Sequence, residues 1–256
     1  MSLTSEITRI HNAKDSLKVV LEGKGCTVPS GATIDEYPAI AATIEPFDPI
    51  SGHNYVEIGG VKWATMNIGA NSITDTGLYF QWGGTCGFNS TGSGSGQKPF
   101  SWSDYVFGNG TNSPGTTGLT KYNSNDSKYT LDLSDDAAKA NWGGAWRIPT
   151  TDELAILSGA VTTAWTSDYQ GSGVSGLICT DKTENTKVLF FPAGGYFVSG
   201  TVESQGIAGF YWTNSINNNI NDALMLAFNN ESVTWNDYHY RYVGATIRPV
   251  LDYYII

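Results

Sequence analysis

DALMLAFNNESVTWNDYHYRYVGATIRPV, residues 222–250, joins a regular strand pattern to an irregular polar and aromatic run. Successive side chains of a strand point to opposite faces, and here both sets are apolar. One set is Leu224, Leu226 and Phe228, and the other is Ala223, Met225 and Ala227. This pattern predicts a strand that is buried on both faces. Large polar and aromatic side chains then follow at 235–242, before the strand-like ending GATIRPV.

The segments around this stretch predict an α+β fold with short strands, two helices and long loops. VLFFPAGGYF, GFYWTNS and ESVTWNDYHY are strand-like, and YVEIGGVKWATMNI predicts a hairpin that turns at Gly59 and Gly60. Two short helices are expected on either side of WGGAWRIP. Ser134 is the predicted N-cap of the first, and Thr150 with Glu153 forms a capping box that opens the second, through Leu157.

Residues 83–128 form a long segment rich in Gly, Ser, Asn and Thr. It is too polar to form a core, but its aromatic residues predict that it is held against the fold. These are Phe100, Trp102, Tyr105 and Phe107. The GSGSG run at 92–96 lacks the flanking strand and helix of a nucleotide-binding loop, so we do not expect it to bind phosphate.

A small helical segment is predicted before this domain. An amphipathic helix over residues 4–24 carries an apolar stripe interrupted by Lys14 and ends at Gly23 and Gly25. The stripe is Ile7, Ile10, Leu17 and Leu21. A second short helix is expected around Ile34, Tyr37, Ile40 and Ile44, and residues 46–49 read as a linker. Such a pair either packs on the following domain or associates with copies of itself.

The charge balance and the apolar runs exclude several partners. The net charge is −10 and the isoelectric point is about 4.6, so the chain would repel a phosphate backbone, and we expect no nucleic-acid partner. No run of roughly 18 apolar residues occurs, which predicts no membrane insertion. The N-terminus has no signal-peptide pattern. The three cysteines, Cys26, Cys86 and Cys179, are interpreted as reduced thiols, with a Cys86–Cys179 disulfide as the alternative.

No catalytic group or metal site emerges from the sequence. The histidines are His11, His53 and His239, and none lies in a metal-ligand or nucleophile–base pattern. Asp135 and Asp136 are adjacent, which suits a helix start better than a general acid and base that must face each other across a substrate. We therefore expect a protein that is not an enzyme, with no catalytic residues, no metal and no cofactor.

Taken together, these segments resemble a known family. VEIGGVKWATMNIG, GLYFQWGG, TKYN, DDAAKANWGGAWRIPTTDEL, FFPAGGY, GFYWTNS and VGATIRPV are similar, in order and spacing, to the C-type lectin fold in its formylglycine-generating-enzyme-like branch, including FISUMP-type domains of gut bacteria. The resemblance spans about residues 55–251. It implies a helical attachment or oligomerisation segment at 1–46 and a ligand-binding domain of this fold at 53–256.

Within that branch, the chain is most similar to variable proteins of diversity-generating retroelements. In these, error-prone copying at adenines converts AAY codons for Asn into many residue types. Residues 211–248 correspond to the variable region, and many of their side chains are Asn or types reachable from AAY. The resemblance implies ligand binding by Asn214, Ile216, Asn217, Asn218, Asn219, Asn221, Thr234, Trp235, Asn236, Asp237, Tyr238, His239, Tyr240 and Tyr242. A buried frame of Trp212, Leu224, Leu226, Phe228, Ile247, Arg248 and Pro249 would support them. Without the resemblance, the Asn-rich loops also read as ordinary turns.

Two related activities fit the residues poorly. Formylglycine-generating enzymes use a cysteine pair near the C-terminal end of the fold, and the last cysteine here is Cys179. Calcium-dependent lectins carry a Trp-Asn-Asp motif, which Trp235, Asn236 and Asp237 spell. They also need an upstream Glu-Pro-Asn or Gln-Pro-Asp loop, which is absent from residues 200–235.

The N-terminal forty residues resemble short helical modules of phage tail-associated proteins, which implies a virion location, with a bacterial cell surface as the alternative. The expected partner is an unknown protein or glycan on a bacterial surface, and homo-oligomerisation through residues 4–44 is one of the two arrangements open to the helical segment. The alternatives are a calcium-dependent glycan-binding lectin and a structural FISUMP-type domain with a fixed partner.

Overall fold

The computed structural model describes residues 3–23, 27–41, 50–91, 100–110 and 118–252. The chain divides into two compact units, Met1–Asp48 and Pro49–Ile256. The predicted linker at 46–49, the GSGSG run, Cys26 and Ile44 lie outside the described residues. In the described part of the chain, no helix is both long enough and apolar enough to cross a membrane.

The first unit contains the two predicted helices. They are α1 (Leu3–Gly23) and α2 (Tyr37–Ala41), the latter preceded by a 3₁₀ turn at Ile34–Glu36. Leu21 is the member of the predicted stripe that is buried in this unit, against Val28, Ala32 and Tyr37. The other three members, Ile7, Ile10 and Leu17, are exposed. The apolar stripe of α1 therefore lies mostly on the surface.

The second unit is mixed α+β, with small antiparallel sheets and few helices, as predicted. The α-helices that lie wholly within its described residues are α3 (Ala137–Trp142) and α4 (Thr151–Ala160). Its strands are β1 Tyr55–Ile58, β2 Val61–Ala64, β3 Trp146–Arg147, β4 Val161–Thr166, β5 Gly176–Asp181, β6 Val188–Pro192, β7 Tyr196–Val198, β8 Thr201–Glu203, β9 Ala208–Ile216, β10 Asp222–Asn229, β11 Val233–Tyr240 and β12 Val250–Leu251. The sheets have the orders β1-β2-β12-β3, β11-β10-β9, β4-β5-β6 and β7-β8.

The β1–β2 hairpin turns at the predicted glycines. Ile58 pairs with Val61, so Gly59 and Gly60 form a two-residue turn, and both have positive φ, at 61° and 79°. Such turns favour glycine because their φ angles strain other residues. β12 then pairs with β2 and β3, which joins the C-terminal end of the domain to its first hairpin.

The helices around WGGAWRIP form as predicted, but the first N-cap prediction is wrong. Asp136, rather than Ser134, caps α3, because the chain first makes a 3₁₀ turn at Leu133–Asp135. The buried Asp136 carboxylate accepts hydrogen bonds from the backbone N–H groups of Ala138 and Ile148, each at 2.8 Å. It thereby ties α3 to the segment that leads into α4. The capping box of Thr150 and Glu153 opens α4 as predicted.

Strand β10 is the central strand of the β11-β10-β9 sheet. Ala223 and Met225 belong to one core cluster, and Leu226 and Phe228 belong to the other, so both faces are buried as predicted. Leu224 is the half-buried exception in the predicted frame. The four aromatic residues predicted to hold the long loop, at 100, 102, 105 and 107, are buried.

Candidate functional site

Strand β11 lies at the edge of the β11-β10-β9 sheet and presents alternate side chains to the surface. The outward set is Thr234, Asn236, Tyr238 and Tyr240, and the intervening set, Val233, Trp235, Asp237 and His239, is half-buried. Tyr238 and Tyr240 are 56% and 47% exposed, although both are large aromatic residues. Because β10 is buried on both faces and pairs with β11, the backbone beneath these tyrosines is fixed.

The turn between β9 and β10 lies beside these tyrosines. Asn219 shapes the turn: its side-chain N–H donates to the Asp222 carboxylate at 2.8 Å, and its side-chain oxygen accepts from the backbone N–H of Asn221 at 3.2 Å. Asn219, Asp222, Tyr238, His239 and Tyr240 line one shallow depression of about 200 Å³. We call Asn219, Tyr238, His239, Tyr240 and Tyr242 the tyrosine patch.

Two aromatic residues from distant parts of the chain support the tyrosine patch. The ring centroid of Trp102 lies 4.9 Å from that of Tyr242 and 5.9 Å from that of Tyr240, and the two tyrosines stack at 5.6 Å. On the other side, Tyr196 lies 5.0 Å from His239. Sequence reasoning did not place Trp102 or Tyr196 at the site. The one available signal was the buried-aromatic prediction for the long loop that contains Trp102.

His239 and Tyr242 of the tyrosine patch have shifted pKa values. Burial lowers the pKa of His239, and the nearby Asp237 carboxylate opposes the shift, so the neutral imidazole is favoured. Burial also raises the pKa of Tyr242, with smaller contributions from Tyr240 and Tyr196, which keeps its hydroxyl protonated. The patch therefore offers neutral hydrogen-bonding groups and aromatic surface rather than a cationic imidazole.

Arg241, the residue between the last two tyrosines of the patch, points the other way and is fully buried. Its Nε donates to the Tyr105 hydroxyl at 2.8 Å, and one Nη donates to the carbonyl oxygens of Tyr122 and Ile220 at 2.9 and 2.8 Å. The other Nη donates to the Lys121 carbonyl oxygen at 3.1 Å. The guanidinium also lies 4.7 Å from the centroid of Trp82. One side chain thus joins the β9–β10 turn and two distant loops beneath the patch.

The predicted ligand-binding residues do not form one continuous surface. Asn218 and Asn219 are exposed, and Asn214, Asn217, Asn221 and Tyr242 are half-buried. The prediction for Ile216 is wrong: it is 6% exposed and belongs to the core, because its side chain pairs with Ala223 on the inward face. Asn214 is hydrogen-bonded through its backbone to Pro149 and Leu131, on the β9 edge rather than the β11 edge.

Trp235 belongs to a separate groove. A bulge interrupts the pairing of β10 with β11, where Met225 pairs with Asp237 but Ala227 pairs with Thr234. Two residues of β11, Trp235 and Asn236, therefore stand opposite the single residue Leu226. Trp235 packs on the core and faces a groove that Trp165 also lines.

No group of three His, Cys, Asp or Glu among the residues that the structure describes could hold a metal ion, including around Asp237. His53 stacks on Trp142 at 3.7 Å. Cys86 and Cys179 are free thiols, so the alternative disulfide is not formed, and burial raises the pKa of Cys179 to about 12.

Comparison with known proteins gives no relative: no family model, no curated protein and no solved structure matches the chain.

Proposed function

We propose that the protein is a non-enzymatic binding protein whose tyrosine patch contacts a macromolecular ligand. The observation that carries the proposal is the exposure of Tyr238 and Tyr240 on a strand paired with β10, which packs on core clusters at both faces. Clusters of exposed aromatic side chains are more common at interaction surfaces than on the rest of a protein surface. The shallow shape of the patch suits a macromolecule, which can cover the surface, better than a small molecule that needs enclosure.

The composition of the tyrosine patch supports the same function. Tyr offers a large contact area and loses few rotamers on binding, while Asn adapts its hydrogen bonds to different partners. Trp102 and Tyr196 restrict the ring positions of Tyr240, Tyr242 and His239 before any ligand arrives. A contact surface that is ordered in advance loses less entropy on binding.

We further propose that the domain has a C-type lectin fold of the formylglycine-generating-enzyme-like branch and that a retroelement diversifies its surface. The pairing of β12 with β2, which joins the two ends of the domain, is consistent with such a fold. Diversification is supported by the separation of exposed from buried positions along 217–240. Substitutions at Asn218, Asn236, Tyr238 and Tyr240 would change the surface without entering the core.

The first unit would supply attachment and self-association, on a phage tail or, in the alternative, on a bacterial cell surface. On α1, spacings of four and three residues alternate from Leu3 through Ile7, Ile10 and Lys14 to Leu17. The four apolar members of this series are exposed. This seven-residue repeat is the pattern by which helices pair along an apolar seam. With several copies on one particle, the weak contacts of the individual tyrosine patches would combine through avidity into tight attachment.

Deep sequencing of the gene within one population tests the proposal. We expect amino-acid variation to concentrate at the exposed codons of 214–242, while codons 140–165, which encode the end of α3, all of α4 and most of β4, stay constant. Equal variation in the two intervals would contradict diversification and would favour a domain with one fixed partner.

A further inference from the structure

A second groove lies at the opposite end of β11 from the tyrosine patch. Its volume is about 390 Å³, and it is bounded by edge strand β4, by β5 and by the β10–β11 hairpin. The lining residues that matter here are Thr163, Trp165, Asn230, Glu231 and Trp235. The volume falls at the lower end of the roughly 300–1,000 Å³ usual for small-molecule sites.

The two indole rings are firmly placed. Trp165 and Trp235 are half-buried and pack on the core cluster of Leu177, Leu226 and Phe228, and the ring centroid of Trp165 lies 6.4 Å from that of Phe228. Each ring therefore keeps part of its surface open to the groove while the rest is fixed. Both indoles therefore contribute aromatic surface to the groove.

The polar groups around these rings have unused hydrogen-bonding capacity. Within the described residues, neither indole N–H donates to the protein, and the Thr163 hydroxyl, the Asn230 amide and the Glu231 carboxylate have no protein partner. By contrast, the Asn229 side-chain oxygen is occupied, because it accepts from the backbone N–H groups of Glu231 and Ser232 and closes the hairpin. The hairpin is thus held in shape while its outer groups remain available to a ligand.

The lining also limits the charge of a ligand. It contains one carboxylate, Glu231, and no Lys or Arg, on a chain of net charge −10. A phosphate, sulfate or carboxylate group would be repelled there. A ligand with apolar ring faces and many uncharged hydroxyls would match the indoles and the amide, hydroxyl and carboxylate groups together.

We propose that this groove binds a neutral carbohydrate, one or two sugar rings long, without a metal ion. The groove shares no residue with the tyrosine patch, although Asn230, Glu231 and Trp235 lie within the proposed variable region 211–248. Between Trp235 and Tyr240 lie five strand steps, or roughly 17 Å, too far for one small ligand to reach both.

The test is binding of the intact protein to an array of neutral oligosaccharides and their sulfated and sialylated counterparts, with chelator present throughout. Any neutral hit is then titrated by tryptophan fluorescence and by saturation-transfer NMR. We expect binding to neutral glycans, with about tenfold weaker affinity in W165F and W235F, since each loses an indole N–H and part of its ring contact. T163V and E231Q change exposed side chains outside the core, so they report on the groove even if a tryptophan variant unfolds.

Y240A separates the two sites. We expect it to retain glycan affinity, because Tyr240 does not line the groove. The proposal is overturned if no neutral glycan binds, if binding requires calcium, if anionic glycans bind better, or if Y240A alone abolishes binding. Preferential binding of an extended peptide along the edge of β4 would also overturn it.

Discussion

Replacement of Arg241 by methionine tests whether the tyrosine patch depends on one buried side chain. Arg241 donates four hydrogen bonds, to Tyr105, Lys121, Tyr122 and Ile220. Methionine is unbranched and apolar but cannot donate, so these acceptors lose their partner. At about 1 kcal/mol per hydrogen bond, the free energy of unfolding should fall by about 4 kcal/mol. In a domain of this size, the melting temperature should fall by roughly 8–16 °C.

The matched control is Arg248→Met. Arg248 is also fully buried and donates to Asn67, Ala64, Thr65 and Phe190, away from the patch. Urea unfolding should show a similar loss for both variants. Native-state hydrogen exchange should show faster exchange at 217–222 and 238–242 only for Arg241→Met. A loss under 1 kcal/mol, or equal loosening of the patch in both variants, would refute the reasoning.

Three further predictions concern the surface, the assembly and pH. Tyr238→Ala and Tyr240→Ala should each change the free energy of unfolding by less than about 0.5 kcal/mol, because these positions are exposed; a cost above 2 kcal/mol in urea unfolding would contradict this. Ile10→Asp should lower the mass measured by light scattering to that of a monomer, because it places a charge in the apolar seam of α1. Val19 is 68% exposed but lies outside this seam, so Val19→Asp should leave the mass unchanged. Identical masses for the two variants would contradict association through the seam. The pKa of His239 is lowered in the folded protein, so below about pH 6.5 the unfolded chain binds more protons than the folded one and the fold loses stability. His239→Gln should therefore weaken the dependence of the melting temperature on pH in this range. An unchanged pH dependence would contradict the prediction.

Features set by neighbouring residues were predictable from the sequence. The Gly59–Gly60 turn follows from the φ angles that a two-residue hairpin needs, and the Thr150–Glu153 capping box follows from the free N–H groups of a helix start. The burial of β10 on both faces follows from its continuous run of apolar residues, 223–228. Each of these three features is signalled by a pattern of residues that are close together in the sequence.

The composition of the site depended on contacts that no local pattern contains. Arg241 reads as one more polar residue in a polar run, yet its partner Tyr105 lies 136 residues away. Trp102 reaches the patch from the long loop, and Tyr196 reaches it from β7. Ile216 was misplaced because the pairing of β9 with β10 shifts between Met225 and Ala223, which alters which β9 residues face inward.

The most direct measurement of the central claim is a comparison of two randomised libraries, scored by protease resistance on a display platform. One library varies four exposed positions, and the other varies four buried positions of the same region. The exposed set is Asn218, Asn236, Tyr238 and Tyr240, and the buried set is Trp212, Ala223, Leu226 and Ile247. Surface changes should cost about 0.5 kcal/mol or less and buried ones about 2–5 kcal/mol. We predict that most members of the exposed library stay folded and few of the buried library do; equal losses in the two would contradict the claim that a fixed frame carries a freely variable surface.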